Sequence, residues 1–443
     1  MGSARQHLHL GVGRPGSAVR REGAVVMTGR TRMFRVLLAL IATVTIASCQ
    51  TDAPPGNPTR ETLPNGAILV RYPDLPAIDS VGPEVTDVQY DLRFGSREGD
   101  DPNFIFGNIR GIQAASDGTI YVLDYQAVEV RVFSPDGEYL RTIARRGEGP
   151  GEIMEANGII LSGDTLLWMN DHSQWKIIGV DPHGEEVRRF TKPILSYGYI
   201  WDGAFDLRGR YWREDSHSDE GDEDEETGPY EVPYRGYYKS YDLDTEAVDS
   251  VFLGEFTFRG YASISDGGGW YASIPFDASD IQVLNPSGGF WLANTGSYRV
   301  THLGEDGDTL LVIESTLSGM RVSSADRSAY VEGIVERDPE ERRAAEAVAE
   351  LAPDFKPVLE GLLVDDEGRL WVERVTPSET PPFYDLFSQD GEYLGSVRFG
   401  FMPAPYSPIW VQHGAIYTWV ADDVGVEYVV RAPLAGADQQ RQP

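Results

Sequence analysis

The sequence predicts an all-β fold: a six-bladed β-propeller closed by an N-terminal strand, with a small helical insertion between blades 4 and 5. Three observations carry this expectation. A turn glycine followed by an aromatic-rich strand recurs at Gly118, Gly163, Gly209, Gly288, Gly368 and Gly414. The intervals are about 45 residues in three cases and about 80 in two, the lengths of a four-stranded unit without and with an insert. The last copy stops after Val429-Val430-Arg431, one strand short, and an unattached alternating strand, Val85 to Phe94, precedes the first copy.

The first copy is the clearest. Gly111 to Ala114 opens it, Asp117-Gly118 turns the chain, and Ile120 to Leu123 returns. Val128 to Phe133 alternates apolar and charged residues, as a half-buried strand does. Pro135-Asp136-Gly137 makes a second turn and Tyr139 to Ile143 completes the unit. Glycine supplies the positive φ that such two-residue turns require. A lone four-stranded sheet with two partly apolar faces cannot bury itself, so copies are expected to stack around an axis. In the later copies the second strand carries Leu167-Trp168-Met169, Tyr211-Trp212, Phe290-Trp291-Leu292, Leu370-Trp371-Val372 and Ile416-Tyr417-Thr418. Tyr121 and these aromatics at the same position are expected between blades. The strand at 85 to 94 is expected to supply the missing partner of the sixth copy.

The run from Asp117 to Thr142 (DG…IYV.D…V.VF..DG..L.T), followed by Gly-Glu-Gly-Pro-Gly-Glu at 147–152, resembles an NHL repeat. The chain from about 85 to 432 looks like the NHL-type, six-bladed propeller lipoproteins of Gram-negative bacteria. That resemblance implies a fold and an address rather than a reaction.

Composition narrows the partners. The 443 residues carry a formal net charge of −32, and a polyanion repels nucleic acid, so no nucleic-acid partner is expected. The single cysteine, Cys49, excludes an internal disulfide. It follows an apolar run, Val36 to Ala47, preceded by Arg30, Arg32 and Arg35. That run is too short to span a bilayer comfortably. Ile46-Ala47-Ser48-Cys49 resembles a bacterial lipobox, which implies cleavage before Cys49, a lipid on its sulfur and attachment to the membrane, with the outer membrane favoured by Gln50.

The expected organisation is an upstream extension and signal peptide at 1–48, a flexible tether at 49–64, a propeller at 65–435 and a disordered tail at 436–443. Three inserts interrupt the propeller: an acidic loop at 214–236, a loop at 258–278 and a helical piece at 323–352. Ser324 can cap the helical piece and Pro339 splits it. Connections between strands two and three, and between blades, leave a propeller on one face, so all three inserts are expected on that face. Loops on a rigid scaffold commonly carry function.

The residues ending each second strand are Asp124, Asp171, Asp215, Asn294, Arg374 and Val420. Pointing toward the channel mouth, the first five and the neighbouring His172 are the candidate ligand contacts. Asp124, Asp171 and Asn294 could hold Ca²⁺, a cation that takes six to eight oxygen ligands. In arrangement they resemble lactonase-type propellers, where a metal polarises a carbonyl and a carboxylate, here Asp124 or Asp171, moves the proton. The alternative is that each Asp caps its own loop through backbone N–H groups. Asp171-His172-Ser173 cannot be a relay, because adjacent side chains diverge.

The leading functional expectation is a binding or scaffold module at the cell envelope, holding an envelope protein, a peptide or a glycan on its loop-rich face. The alternative is a divalent-metal-dependent hydrolase or lactonase at the channel mouth.

Overall fold

The computed structural model describes residues 57–434, apart from 98, 100, 192–199, 219–225 and 266–267. Six sheets follow one another along the chain. Blade 1 comprises Ile109–Ala114, Ile120–Asp124, Glu129–Phe133 and Tyr139–Ala144. Blade 2 comprises Ala156–Ser162, Leu166–Asp171, Lys176–Val180 and Glu186–Phe190. Blade 3 has five strands, Ala204–Phe205, Tyr211–His217, Gly228–Tyr241, Val248–Ser265 and Gly268–Ser273. Blade 4 has Asp280–Leu284, Phe290–Asn294, Arg299–Leu303 and Thr309–Ser315; blade 5 has Leu359–Val364, Leu370–Arg374, Phe383–Phe387 and Tyr393–Phe399. Blade 6 has Trp410–Gln412, Ala415–Ala421 and Glu427–Pro433.

The ring is visible in the core. Six apolar clusters each join one blade to the next. Tyr121 and Leu123 of blade 1 meet Ile159 and Met169 of blade 2. Trp168 meets Tyr211 between blades 2 and 3, and Trp212 meets Phe290 between blades 3 and 4. Trp291 meets Leu370, and Trp371 meets Ile416. Tyr417 and Trp419 of blade 6 then meet Ile112 and Val122 of blade 1, which closes the circle. The second-strand aromatics are therefore the interblade core, at 3% exposure or less. Each large ring removes an apolar surface that a single sheet would leave wet.

The first turns share a side-chain lock in two blades. Asp206 accepts the Arg208 and Arg210 amides, and its second oxygen accepts Arg210 Nε at 2.7 Å and Trp212 Nε1 at 2.9 Å. Asp365 repeats the pattern with Arg369 Nε at 2.7 Å and Trp371 Nε1 at 2.8 Å. Blade 4 carries Asn285 there, with Gly289 in the arginine position. Gly289 has φ of 81°, and a Cβ on it would sit 2.0 Å from the Leu303 carbonyl oxygen. No arginine fits, and a buried aspartate without one would be an uncompensated charge.

The N-terminal region departs from expectation. Val85 to Phe94 is two strands. Val85–Val88 runs parallel to Ser396–Phe399 on the outer edge of blade 5, and Leu92–Phe94 pairs antiparallel with Val429–Arg431 to complete blade 6. The chain steps from one sheet to the next through Gln89, Tyr90 and Asp91, because adjacent blades do not share a plane. Upstream, Ile68–Tyr72 lies parallel to Leu311–Ser315 on blade 4, and Thr59–Thr62 pairs with it. The stretch read as tether at 49–64 thus already includes a strand, and residues 57–94 form a strap over blades 4, 5 and 6. Between strands the strap is held by its carbonyls: Arg374 donates to Pro76, and Arg398 to Ile78 and Ser80.

The two inserts read as loops in blade 3 are mostly strand. Gly228–Tyr241 and Val248–Ser265 pair along their length, and Gly268–Ser273 pairs with Gly260 to Ser265. Their alternating aromatics favour a ladder over coil. The result is a β-ribbon arm longer than the blade that carries it. The helical insert is two helices, Ser324–Val335 (α1) and Arg342–Glu350 (α2), separated by a 3₁₀ turn at Pro339–Glu341. Its cap is Ser323, one residue before the expected Ser324. Ser323 Oγ accepts the Asp326 amide, and Asp326 accepts the Ser323 amide at 2.9 Å. Arg327 donates to the carbonyls of Ala349, Ala352 and Pro353 at the end of α2, where positive charge is favoured. Tyr330, Val331, Ala345, Val348 and Ala349 pack with Ile274, Tyr261, Trp270 and Ala272 of the arm. Arm and helices therefore meet on the same face. Among the described residues no helix is long and apolar enough to cross a membrane. Cys49 and the tail at 436–443 lie outside the described residues.

Candidate functional site

The second-strand ends are each held by local partners. Asp124 is 1% exposed and accepts the amides of Gly107, Asn108, Gln126 and Ala127 at 3.0–3.2 Å. Arg131 lies 3.5 Å from its second oxygen. Asp171 is fully buried and accepts the amides of Met154, Glu155 and Gln174 and the hydroxyl of Ser173 at 2.7–3.3 Å. Each carboxylate ties the loop entering its blade to the turn leaving its second strand. Loop amides occupy both carboxylates, joined by the Ser173 hydroxyl at Asp171 and by Arg131 near Asp124, which is the arrangement of the loop-capping alternative.

The remaining candidates have local partners as well. Asn294 donates to Asp280 at 2.9 Å and accepts the Gly296 amide at 3.1 Å. Asp215 pairs with Lys239 on the neighbouring strand. His172 Nδ1 lies 3.8 Å from the Glu155 carboxylate. Arg374 is buried in a bidentate pair with Asp385 at 2.6 and 2.7 Å, with Tyr298 and Ser396 hydroxyls donating to the same carboxylate. It is a structural clamp. Among the described residues no group of three or more His, Cys, Asp or Glu side chains could hold a metal ion. Trp201 is buried and donates to Tyr211 at 2.8 Å. Trp175 and Tyr271 are about half exposed.

The loop-rich face carries a candidate site on the arm. Glu214, in the second strand of blade 3, accepts a hydrogen bond from Gln282 in the first strand of blade 4. Burial pushes its carboxyl above the usual carboxylate range; the Gln282 bond opposes this, and the nearby Asp202 and Asp215 charges add to the rise. Tyr234 stands in the field of Asp280 and Glu214, and burial first, then those charges, lifts its phenol to about 12. Above this base the arm has two unlike faces, since successive strand residues point to opposite sides. One face carries Glu231, Arg235, Glu255 and Arg259, joined as Glu231–Arg259 at 3.3 Å and Arg235–Glu255 at 3.9 Å. The other carries Tyr230, Val232 and Tyr234 opposite Gly260, Phe258 and Phe256.

Glycines shape that second face. A Cβ on Gly236 would meet the Phe256 ring at 2.5 Å, and one on Gly260 would meet the Tyr230 ring at 2.6 Å. The rings lie down across the ribbon because no side chain stands in the way. Tyr234 and Phe256 centroids are 5.5 Å apart, and Tyr230 and Phe258 6.1 Å. The period-two pattern of Tyr230-Val232-Tyr234 and Phe256-Phe258 was the available sequence signal; the acidic run beside it masked the strand.

No curated protein matches the sequence. Among solved structures, the chain is similar to a Bacteroides vulgatus member of a family of unknown function, at 11% identity over 78% of this chain and 97% of that one, with a TM-score of 0.43. It is similar to a Bacteroides thetaiotaomicron protein of unknown function at 11% identity, over 78% and 75%, with a TM-score of 0.38. It is also similar to the virginiamycin B lyase of Staphylococcus aureus at 10% identity, over 74% and 95%, with a TM-score of 0.36. Residues 99–189 match the model of a family described as a 6-bladed beta-propeller, and with its six sheets and six interblade cores the chain is a six-bladed β-propeller.

Proposed function

We propose that this protein is a lipoprotein of the cell envelope, anchored through Cys49, whose propeller is a non-catalytic binding module working through its loop-rich face. The single observation that carries the binding role is the arm. A ribbon with one self-paired charged face and one half-buried aromatic face rises from the face where the helical insert also sits. The commitment of Asp124 and Asp171 to backbone amides supports binding over hydrolysis. The anchor rests on the Ile46-Ala47-Ser48-Cys49 stretch after its basic and apolar segments.

The test pairs two measurements on the mature protein. Equilibrium binding to immobilised peptide and oligosaccharide sets should find ligands whose affinity falls when Phe256 and Phe258 are replaced by serine. Lactone and ester substrates should show no turnover with or without Ca²⁺. Turnover that requires Asp124 or Asp171 would sink the binding role. Metabolic labelling with palmitate, lost in Cys49→Ala, checks the anchor.

A further inference from the structure

The arm's aromatic face has a chemistry that narrows its occupant, and the argument rests on the binding role proposed above. Between Gly228 and Gly236, and between Gly254 and Ala262, the positions on that face are glycine, alanine, valine, tyrosine and phenylalanine; none is charged. The helices use the opposite face, through Tyr261, Trp270 and Ala272. At the foot of the aromatic face stand Glu214 and Asp280, both felt by Tyr234. Asp202 adds its charge at Glu214. A tyrosine or phenylalanine ring presents a negative π-face, and carboxylates beside it deepen the potential.

We infer that the aromatic face of the arm docks an extended, lysine- or arginine-rich segment of a partner protein. Cations stack over the Tyr234, Phe256 and Phe258 rings, and one reaches Glu214 and Asp280 at the base. Two features favour this occupant. The net charge of −32 steers cationic segments toward the protein and rejects acidic ones. A cation beside Glu214 also offsets the burial and like-charge repulsion that raise its carboxyl. The occupant lies on the face rather than adding to the ribbon edge. Beyond the last pair, His217 with Arg235, the edge of the Gly228–Tyr241 strand contains Pro229 and Pro233, which have no N–H to donate.

The experiment uses the mature protein and three probes: a synthetic decapeptide alternating lysine and serine, its glutamate counterpart, and a neutral hexasaccharide. The lysine peptide should bind, with affinity falling as salt rises, and the glutamate peptide should not. Simple attraction to a polyanion would give the same result, so variants that change the net charge by one at most, against −32, decide. Phe256→Ser with Phe258→Ser should weaken the lysine peptide at least tenfold, as should Val232→Lys, which sets a cation on the same face. Glu214→Gln should weaken it severalfold. Thermal melts accompany each variant, and Thr257→Ser, on the other face, controls for damage to the arm. Undiminished binding in both face variants overturns the inference. So does hexasaccharide binding that depends on Phe256 and Phe258, although the binding role would then survive. Absence of any ligand on the loop-rich face would remove the binding role itself.

Discussion

Asp124 and Asp171 perform the same task one blade apart: each accepts the backbone amides of the residues seventeen and sixteen positions before it. The pair locks two successive interblade loops onto their blades. Replacing either by alanine strands several part-buried N–H groups, at about 1–3 kcal/mol for each group that water does not reach. Asp171→Ala should therefore lower unfolding free energy by about 3 kcal/mol or more in urea titrations. Millimolar Ca²⁺ should leave the melting temperature of the parent protein unchanged. A calcium shift abolished by Asp171→Ala would restore the metal reading.

Phe94 closes the ring. It sits on the last strand of blade 6, with its ring 4.6 Å from that of Phe133 in blade 1. Phe94→Ala should destabilise the protein by about 3–5 kcal/mol, the usual range for a buried phenylalanine. Hydrogen exchange should accelerate first in Val429 to Arg431, its pairing partner.

Arg374 and Asp385 form a buried ion pair that also fixes the strap at Pro76. Removing one charge should cost about 3–5 kcal/mol, because the other stays buried without a counter-ion. Replacing Arg374 by methionine and Asp385 by leucine together should recover part of that loss. Limited proteolysis should cut near residues 74–82 in Arg374→Met before the blades are attacked.

Glu214 gives a pH signature. Its carboxyl is raised in the folded state, so ionisation there costs stability above that raised value and nothing below the unfolded value of about 4.3. Glu214→Gln should melt higher than the parent at pH 7, with the difference vanishing as pH falls below about 4. A constant difference across pH would remove the desolvation account.

Asp326 works in the opposite direction. Burial opposes its ionisation, but the Lys356 ammonium and the Ser323 hydrogen bonds outweigh it and lower its carboxyl to about 2. The stability it gives α1 is full above the unfolded value of about 3.9 and is lost as pH falls through about 2. Pepsin should begin to cut the helical insert in that window. Asp326→Asn should cost about 1 kcal/mol at neutral pH through loss of the capping box.

The sequence by itself determined the blades. A turn glycine must sit where φ is positive, and an aromatic at the middle of each second strand must find a neighbour to bury it, so six copies of the pattern specify six stacked sheets. The missing fourth strand of the last copy likewise pointed to Val85 to Phe94 as the closing segment, of which Leu92–Phe94 does the closing. Tertiary structure decided what local pattern leaves open. Whether Val85–Val88 joins blade 5 or blade 6 depends on which edge lies within reach, not on its alternation. Whether Asp124 meets a cation or a backbone amide depends on the loop that folds back over it. The arm shows both limits: alternating aromatics at 230–234 and 256–258 encode a strand, but only the pairing of Gly236 and Gly260 with their neighbours across the ribbon lets those rings lie flat and makes a surface of them.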